Sequence, residues 1–75
     1  MAELKFEITK HLGIISTNDK SNWNKELNLV AWNSREPKFD VRDWAPGHEK
    51  MGKGITLTSA EAVKLSQLLT VARSA

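Results

Sequence analysis

Lys38-Phe39-Asp40-Val41-Arg42-Asp43-Trp44, continued beyond a loop by Lys53-Gly54-Ile55-Thr56-Leu57, decides how this chain folds. Successive side chains of a strand point to opposite faces, so the alternation within the first segment sorts it into two sets. Phe39 and Val41 are apolar and suited to a core. Lys38, Asp40, Arg42 and Trp44 are charged or aromatic and are expected to face outward. A strand that hides two residues and offers lysine, arginine and tryptophan on one side has the make-up of a binding surface. The remaining residues then form the scaffold that holds it.

Upstream, Leu4 to Ser16 places Leu4, Phe6, Ile8, Leu12 and Ile14 at even positions, a period of two that predicts a long first strand. Lys10 interrupts that pattern, and Gly13 marks a bulge or bend. Asn18 to Asn22 is a polar turn cluster whose side chains can bond their own backbone. A second strand is predicted over Lys25 to Asn33, with Leu27, Leu29 and Ala31 on one face and Asn28, Val30 and Trp32 on the other. Asn33 to Pro37 forms the hairpin loop, since proline has no N–H to give a ladder.

Beyond Trp44, Ala45 to Gly52 carries two glycines and a proline and is expected to be a mobile loop. The fourth strand is short, Lys53 to Thr58, with Ile55 and Leu57 turned inward. Thr58-Ser59-Ala60-Glu61 has capping-box spacing: the threonine hydroxyl meets an orphan N–H, and the glutamate reaches back to the cap. Leu65, Leu68, Leu69 and Ala72 follow i, i+3, i+4, i+7 and make one apolar stripe. Val63 and Val71 widen it, which points to a buried face against a second subunit. The expected class is α+β: a four-stranded antiparallel meander followed by one C-terminal helix, in a single domain over residues 1–75.

Seventy-five residues leave no room for a second domain. A chain of this size buries only about 60% of the surface its unfolded form exposes, so a lone monomer is marginal. Small domains compensate with disulfides, a metal or oligomerisation. Cysteine is absent, which removes disulfides and thiolate zinc sites together. His11 and His48 lack ligand spacing, leaving a homodimer as the favoured remedy. No apolar run reaches the roughly 18 to 20 residues of a bilayer span, and the acidic, alternating start is unlike a signal peptide. A cytoplasmic protein, with nucleoid association open, is the expectation. The net charge of +2 permits a polyanionic partner without demanding one.

An enzyme needs a nucleophile with its base, a carboxylate pair in a cleft, or a metal. None of these sets is present: there is no glycine-rich phosphate loop, and Asp40 and Asp43 fall on opposite strand faces. No catalytic residue, metal, cofactor or small-molecule substrate is expected, and a lone histidine is most simply a polar surface residue. The aromatics carry more. If the second and third strands pair as a hairpin, Trp32 and Trp44 share a face with Lys38 and Arg42. Bases stack on such rings for about 1–3 kcal/mol each, and neighbouring cations hold the phosphates. Bland readings stand beside this one. A tryptophan can be core filler or a dimer contact, Trp23 at its turn can simply pack, and Arg42 can pair with Asp40 or a cross-strand acid.

With those residues in view, Phe39-Asp40-Val41-Arg42-Asp43-Trp44 followed by Lys53-Gly54-Ile55-Thr56-Leu57 and an acid-capped helix resembles the transcriptional positive cofactor four family. The likeness is nearest to its short bacterial members of the YdbC type. The motifs span Phe39 to Glu61, with a looser match from Lys25 to Trp32 and on to the helix end. The resemblance implies a dimeric platform that binds single-stranded DNA along basic, aromatic-lined channels of the sheet. Carried over by position, the implied contacts are Lys25, Trp32, Arg42, Trp44 and Lys53; Lys38 joins them on strand parity. Asp43 stands where glutamate is usual. The regulated N-terminal extension of eukaryotic members is missing, so a coactivator role does not carry over.

The leading expectation is therefore a non-enzymatic, homodimeric single-stranded DNA-binding protein with little sequence preference. RNA is a variant of the same chemistry. A protein-interaction or assembly module using the exposed tryptophans and the helix is the alternative from another class.

Overall fold

The computed structural model describes residues 5–74, so Leu4 lies outside the described residues. Four antiparallel strands follow one another in space as they do in sequence: β1 (Phe6–Thr17), β2 (Asn24–Trp32), β3 (Lys38–Trp44) and β4 (Met51–Leu57). One helix, α1 (Ser59–Ser74), closes the chain. The fold class and the order of elements are as the alternation of the sequence dictates. β3 has the expected bounds, whereas β4 begins earlier, at Met51.

β2 and β3 pair without interruption from Asn24↔Trp44 to Val30↔Lys38, so parity assigns every side chain of that hairpin to a face. Leu27 is opposite Val41 and Leu29 opposite Phe39 on one face, and Glu26 is opposite Arg42 and Asn28 opposite Asp40 on the other. The β2–β3 turn opens on Asn33 and Ser34, both with positive φ (51° and 64°), and Arg35 N donates to Trp32 O at 2.9 Å. Two successive left-handed residues suit a tight hairpin. β1 is irregular, with register shifts between Ile8 and Lys10, His11 and Gly13, and Ile14 and Ser16. Shifts of this kind bend a strand and sharpen its twist.

At the helix start the capping box is made reciprocally. Glu61 N donates to Thr58 Oγ1 at 3.2 Å, and Thr58 N donates to Glu61 Oε1 at 2.8 Å. Those bonds, first the backbone one, together with Lys38 nearby, hold the Glu61 carboxyl below its usual range.

The distribution of burial corrects the expected core. Glu26, Asn28, Val30, Asp40 and Trp44 are the buried residues among those described, and all belong to the polar face of the hairpin. Phe39 and Val41, expected as core anchors, are only half-buried, as are Leu27 and Leu29. α1 rests on β3 and β4, yet none of its residues is buried, and Leu65, Leu68 and Leu69 stand exposed beside Ile55. The helix alone does not cover the apolar face.

The polar face is closed instead by β1 and by the segment after β3. That segment, expected to be mobile, is organised: a 3-10 turn over Pro46–His48 passes Gly47 at φ 82°, and Ala45 N donates to Lys50 O at 3.0 Å. The turn brings His48 back over β2.

Candidate nucleic-acid interface

Parity correctly joins Trp32, Trp44, Lys38 and Arg42 on one face, but their accessibility differs sharply. Trp44, expected to face solvent, has no exposed surface. Phe6 from β1 packs on it with ring centroids 5.2 Å apart, and His48 meets it edge-on at 5.4 Å. Its position on the outward parity is right; the burial comes from two segments distant in sequence that cover it. Trp32 is half-buried, with Phe6 tilted beside it at 6.0 Å. Lys38, opposite Val30 at the turn end of the hairpin near Trp32, is exposed.

Arg42 is also less free than expected, its side chain being only 13% exposed. Its Nε donates to Asp40 Oδ1 at 2.6 Å and its Nη2 to Asp40 Oδ2 at 2.8 Å, a bidentate pair. Nη1 faces Gly52 O at 3.4 Å and Met51 Sδ at 3.5 Å. Thr56 Oγ1, opposite Asp40 across the β3–β4 ladder, donates to Asp40 Oδ2 at 2.9 Å. The guanidinium carbon then lies 4.7 Å from the centre of the Trp32 ring, within cation–π range. The bland reading of Arg42 as the partner of Asp40 is therefore the one its geometry shows. Thr56 was missed in the sequence, although alternation along Lys53–Leu57 already set it on the face of Asp40.

A second polar chain lies beside the first. Glu26 accepts from His48 Nε2 at 2.9 and 3.0 Å and from Asn28 Nδ2 at 3.1 Å, while His11 Nδ1 donates to Asn28 Oδ1 at 2.7 Å. Burial pushes the Glu26 carboxyl up, but the His48 and Asn28 hydrogen bonds and the charges of His48 and His11 outweigh it. The net result is a carboxyl held below its usual range. The two histidines read as isolated polar residues thus close on one acid. Among the described residues, no group of three His, Cys, Asp or Glu is placed to hold a metal.

Lys25 and Lys53 lie apart from the Trp32 face. Lys25 pairs with Asp43, on the parity of Leu27 and Val41, and its Nζ is 3.9 Å from Asp43 Oδ1. Lys53 shares sequence parity with Ile55 but is exposed because β4 bulges there: Gly52 and Lys53 together oppose Asp43. Trp23 is half-buried, its ring against Gly52, and bounds a cavity of about 340 Å³ with Lys25, Asp43 and the turn residues Ser16 and Ser21.

Residues 20–68 match the family model of the Transcriptional Coactivator p15 (PC4). An uncharacterized protein of Treponema pallidum (strain Nichols) is 45% identical over 67 residues, which cover 89% of this chain and 78% of the relative. The matched segment runs from the turn before β2 into α1 and so contains the whole β2–β3–β4 hairpin system.

Proposed function

This chain belongs to the Transcriptional Coactivator p15 (PC4) family, whose members bind single-stranded DNA, and on that premise we propose that it is a non-enzymatic, homodimeric single-stranded DNA-binding protein. Bases stack on Trp32 and the exposed ammonium group of Lys38 holds phosphate on the same face, while Lys53 and Lys25, off that face, add positive charge that draws the strand to the sheet. Stacking and phosphate contact are indifferent to base identity, so sequence preference is slight. The observation that carries this reading is the Trp32 ring, only half-buried where Trp44 is sealed, backed by Arg42 and sharing its face with exposed Lys38. The protein works in the cytoplasm or nucleoid, in transcription, replication or repair.

The dimer is proposed from the apolar surface that one chain leaves open. Leu65, Leu68, Leu69 and Ile55 are all exposed, and a second copy laid against them would cover both α1 and the half-covered face of β3 and β4.

Anisotropy titration of a labelled single strand and of its matched duplex, each at two salt concentrations, tests the DNA reading. Tighter binding of the single strand, weakening as salt rises, is expected. Single strands that bind no better than duplex, or an affinity indifferent to salt, would sink it. The exposed helix stripe also favours a second reading, a protein-assembly module. Under that reading, replacing Trp32 by alanine abolishes a protein complex and leaves oligonucleotide behaviour unaltered.

A further inference from the structure

We propose that Asp40 is a positioning residue: it clamps Arg42 behind Trp32, so that Arg42 supports the stacking ring and does not grip a phosphate. This rests on the nucleic-acid reading above and assigns a role within the same site.

The geometry carries the assignment in three steps. First, Asp40 is fully buried, and both its oxygens are engaged, Oδ1 by Arg42 Nε and Oδ2 by Arg42 Nη2 and Thr56 Oγ1. A carboxylate so deep is tolerable only with a paired cation and satisfied lone pairs, which is what Arg42 and Thr56 supply. Second, the bidentate fork fixes the plane of the guanidinium, and the remaining Nη1 is turned toward Gly52 O and Met51 Sδ, away from open solvent. An arginine whose charge is neutralised and whose fork is filled adds little to the capture of a phosphate. Third, the same clamp leaves the guanidinium carbon 4.7 Å from the Trp32 ring centre. A cation held there fixes the ring and draws on its π-density, and the accessible part of the half-buried indole is thereby preset for a base.

Arg42→Lys separates support from phosphate contact. A phosphate contact survives the change because lysine keeps the charge; a support that needs a planar fork does not. Wild type, Arg42→Lys, Arg42→Gln, Asp40→Asn, Thr56→Val and Lys38→Gln are titrated with one labelled single-stranded oligonucleotide across several salt concentrations. Arg42→Lys and Asp40→Asn are expected to lose roughly 5- to 30-fold in affinity with the log–log salt slope unchanged. Lys38→Gln is expected to lower the magnitude of that slope by about 0.7. Arg42→Lys binding as wild type, or Arg42→Gln lowering the slope as Lys38→Gln does, overturns the proposal.

The Arg42 Nε–H resonance, followed by nitrogen-15 NMR on the free protein, gives a readout that needs no DNA. Slow exchange in wild type, faster exchange in Asp40→Asn and an intermediate rate in Thr56→Val are expected, with little change when oligonucleotide is added. Thr56→Val keeps the comparison available if Asp40→Asn fails to fold. Should wild type bind no single strand, the parent reading falls on the titration alone. An Arg42 exchange rate indifferent to both Asp40→Asn and Thr56→Val overturns the clamp whatever the titration shows.

Discussion

Gly54 lies directly across the β3–β4 ladder from Arg42, so close that a β-carbon at Gly54 would collide with Cβ of Arg42 and with the carbonyl oxygen of Val41. The obstacle includes backbone, which cannot swing aside as a side chain can. Gly54 therefore lets β4 approach β3 where Arg42 is clamped by Asp40. Gly54→Ala is expected to lower stability by about 1–3 kcal/mol through overpacking, read as a fall in the urea midpoint. An unchanged midpoint would show that the strands can part without cost.

Trp32 and Trp44 have the same parity, but Trp32 is half-buried and Trp44 fully buried, so their alanine variants should fail differently. Trp32→Ala is expected to fold and to weaken single-strand binding by about 1–3 kcal/mol, with the salt slope preserved. Trp44→Ala removes a fully buried ring packed by Phe6 and His48 and is expected to cost about 3–5 kcal/mol of stability. Chemical denaturation beside anisotropy separates the two. A stable Trp44→Ala protein with impaired binding alone would contradict this division.

Leu69 is more than half exposed in the single chain, at the centre of the α1 stripe. In the proposed dimer it is covered, so Leu69→Asp should split the assembly or unfold it. Sedimentation velocity together with circular dichroism reads both outcomes. A folded, equally stable Leu69→Asp dimer would contradict the placement of the interface.

Glu26 sets an acid limit on stability. Its folded carboxyl titrates below the ordinary range, so the stabilisation it provides is present above its unfolded pKa. That stabilisation is lost as pH falls below about 4.3 and through the folded value. Wild type is therefore expected to lose stability across this window more steeply than Glu26→Gln, measured by urea midpoints at a series of acid pH values. Parallel acid limbs would show that Glu26 gains nothing from His48 and Asn28.

The reciprocal Thr58–Glu61 cap makes a simpler prediction. Thr58→Ala should destabilise the helix start by about 1 kcal/mol, visible in thermal melting.

Sequence alone determined the order of elements, the β3 bounds, the helix cap and the assignment of each hairpin residue to a face. Alternation over seven residues of β3 and the Thr58–Glu61 spacing are local signals, and local hydrogen bonding obeys them. The same signals put Trp32, Trp44, Lys38 and Arg42 on one side. They did not decide which side is buried. That depended on Phe6 reaching Trp44 from β1, and on His48 reaching Glu26 across 22 positions. The half-covered state of Phe39 and Val41 likewise follows from where α1 comes to rest. Burial is a property of what lies above a residue, and here the covering groups come from bulged or looped segments whose paths no period encodes. Tertiary structure thus left Trp32 half-open, sealed Trp44 and bound Arg42 to Asp40.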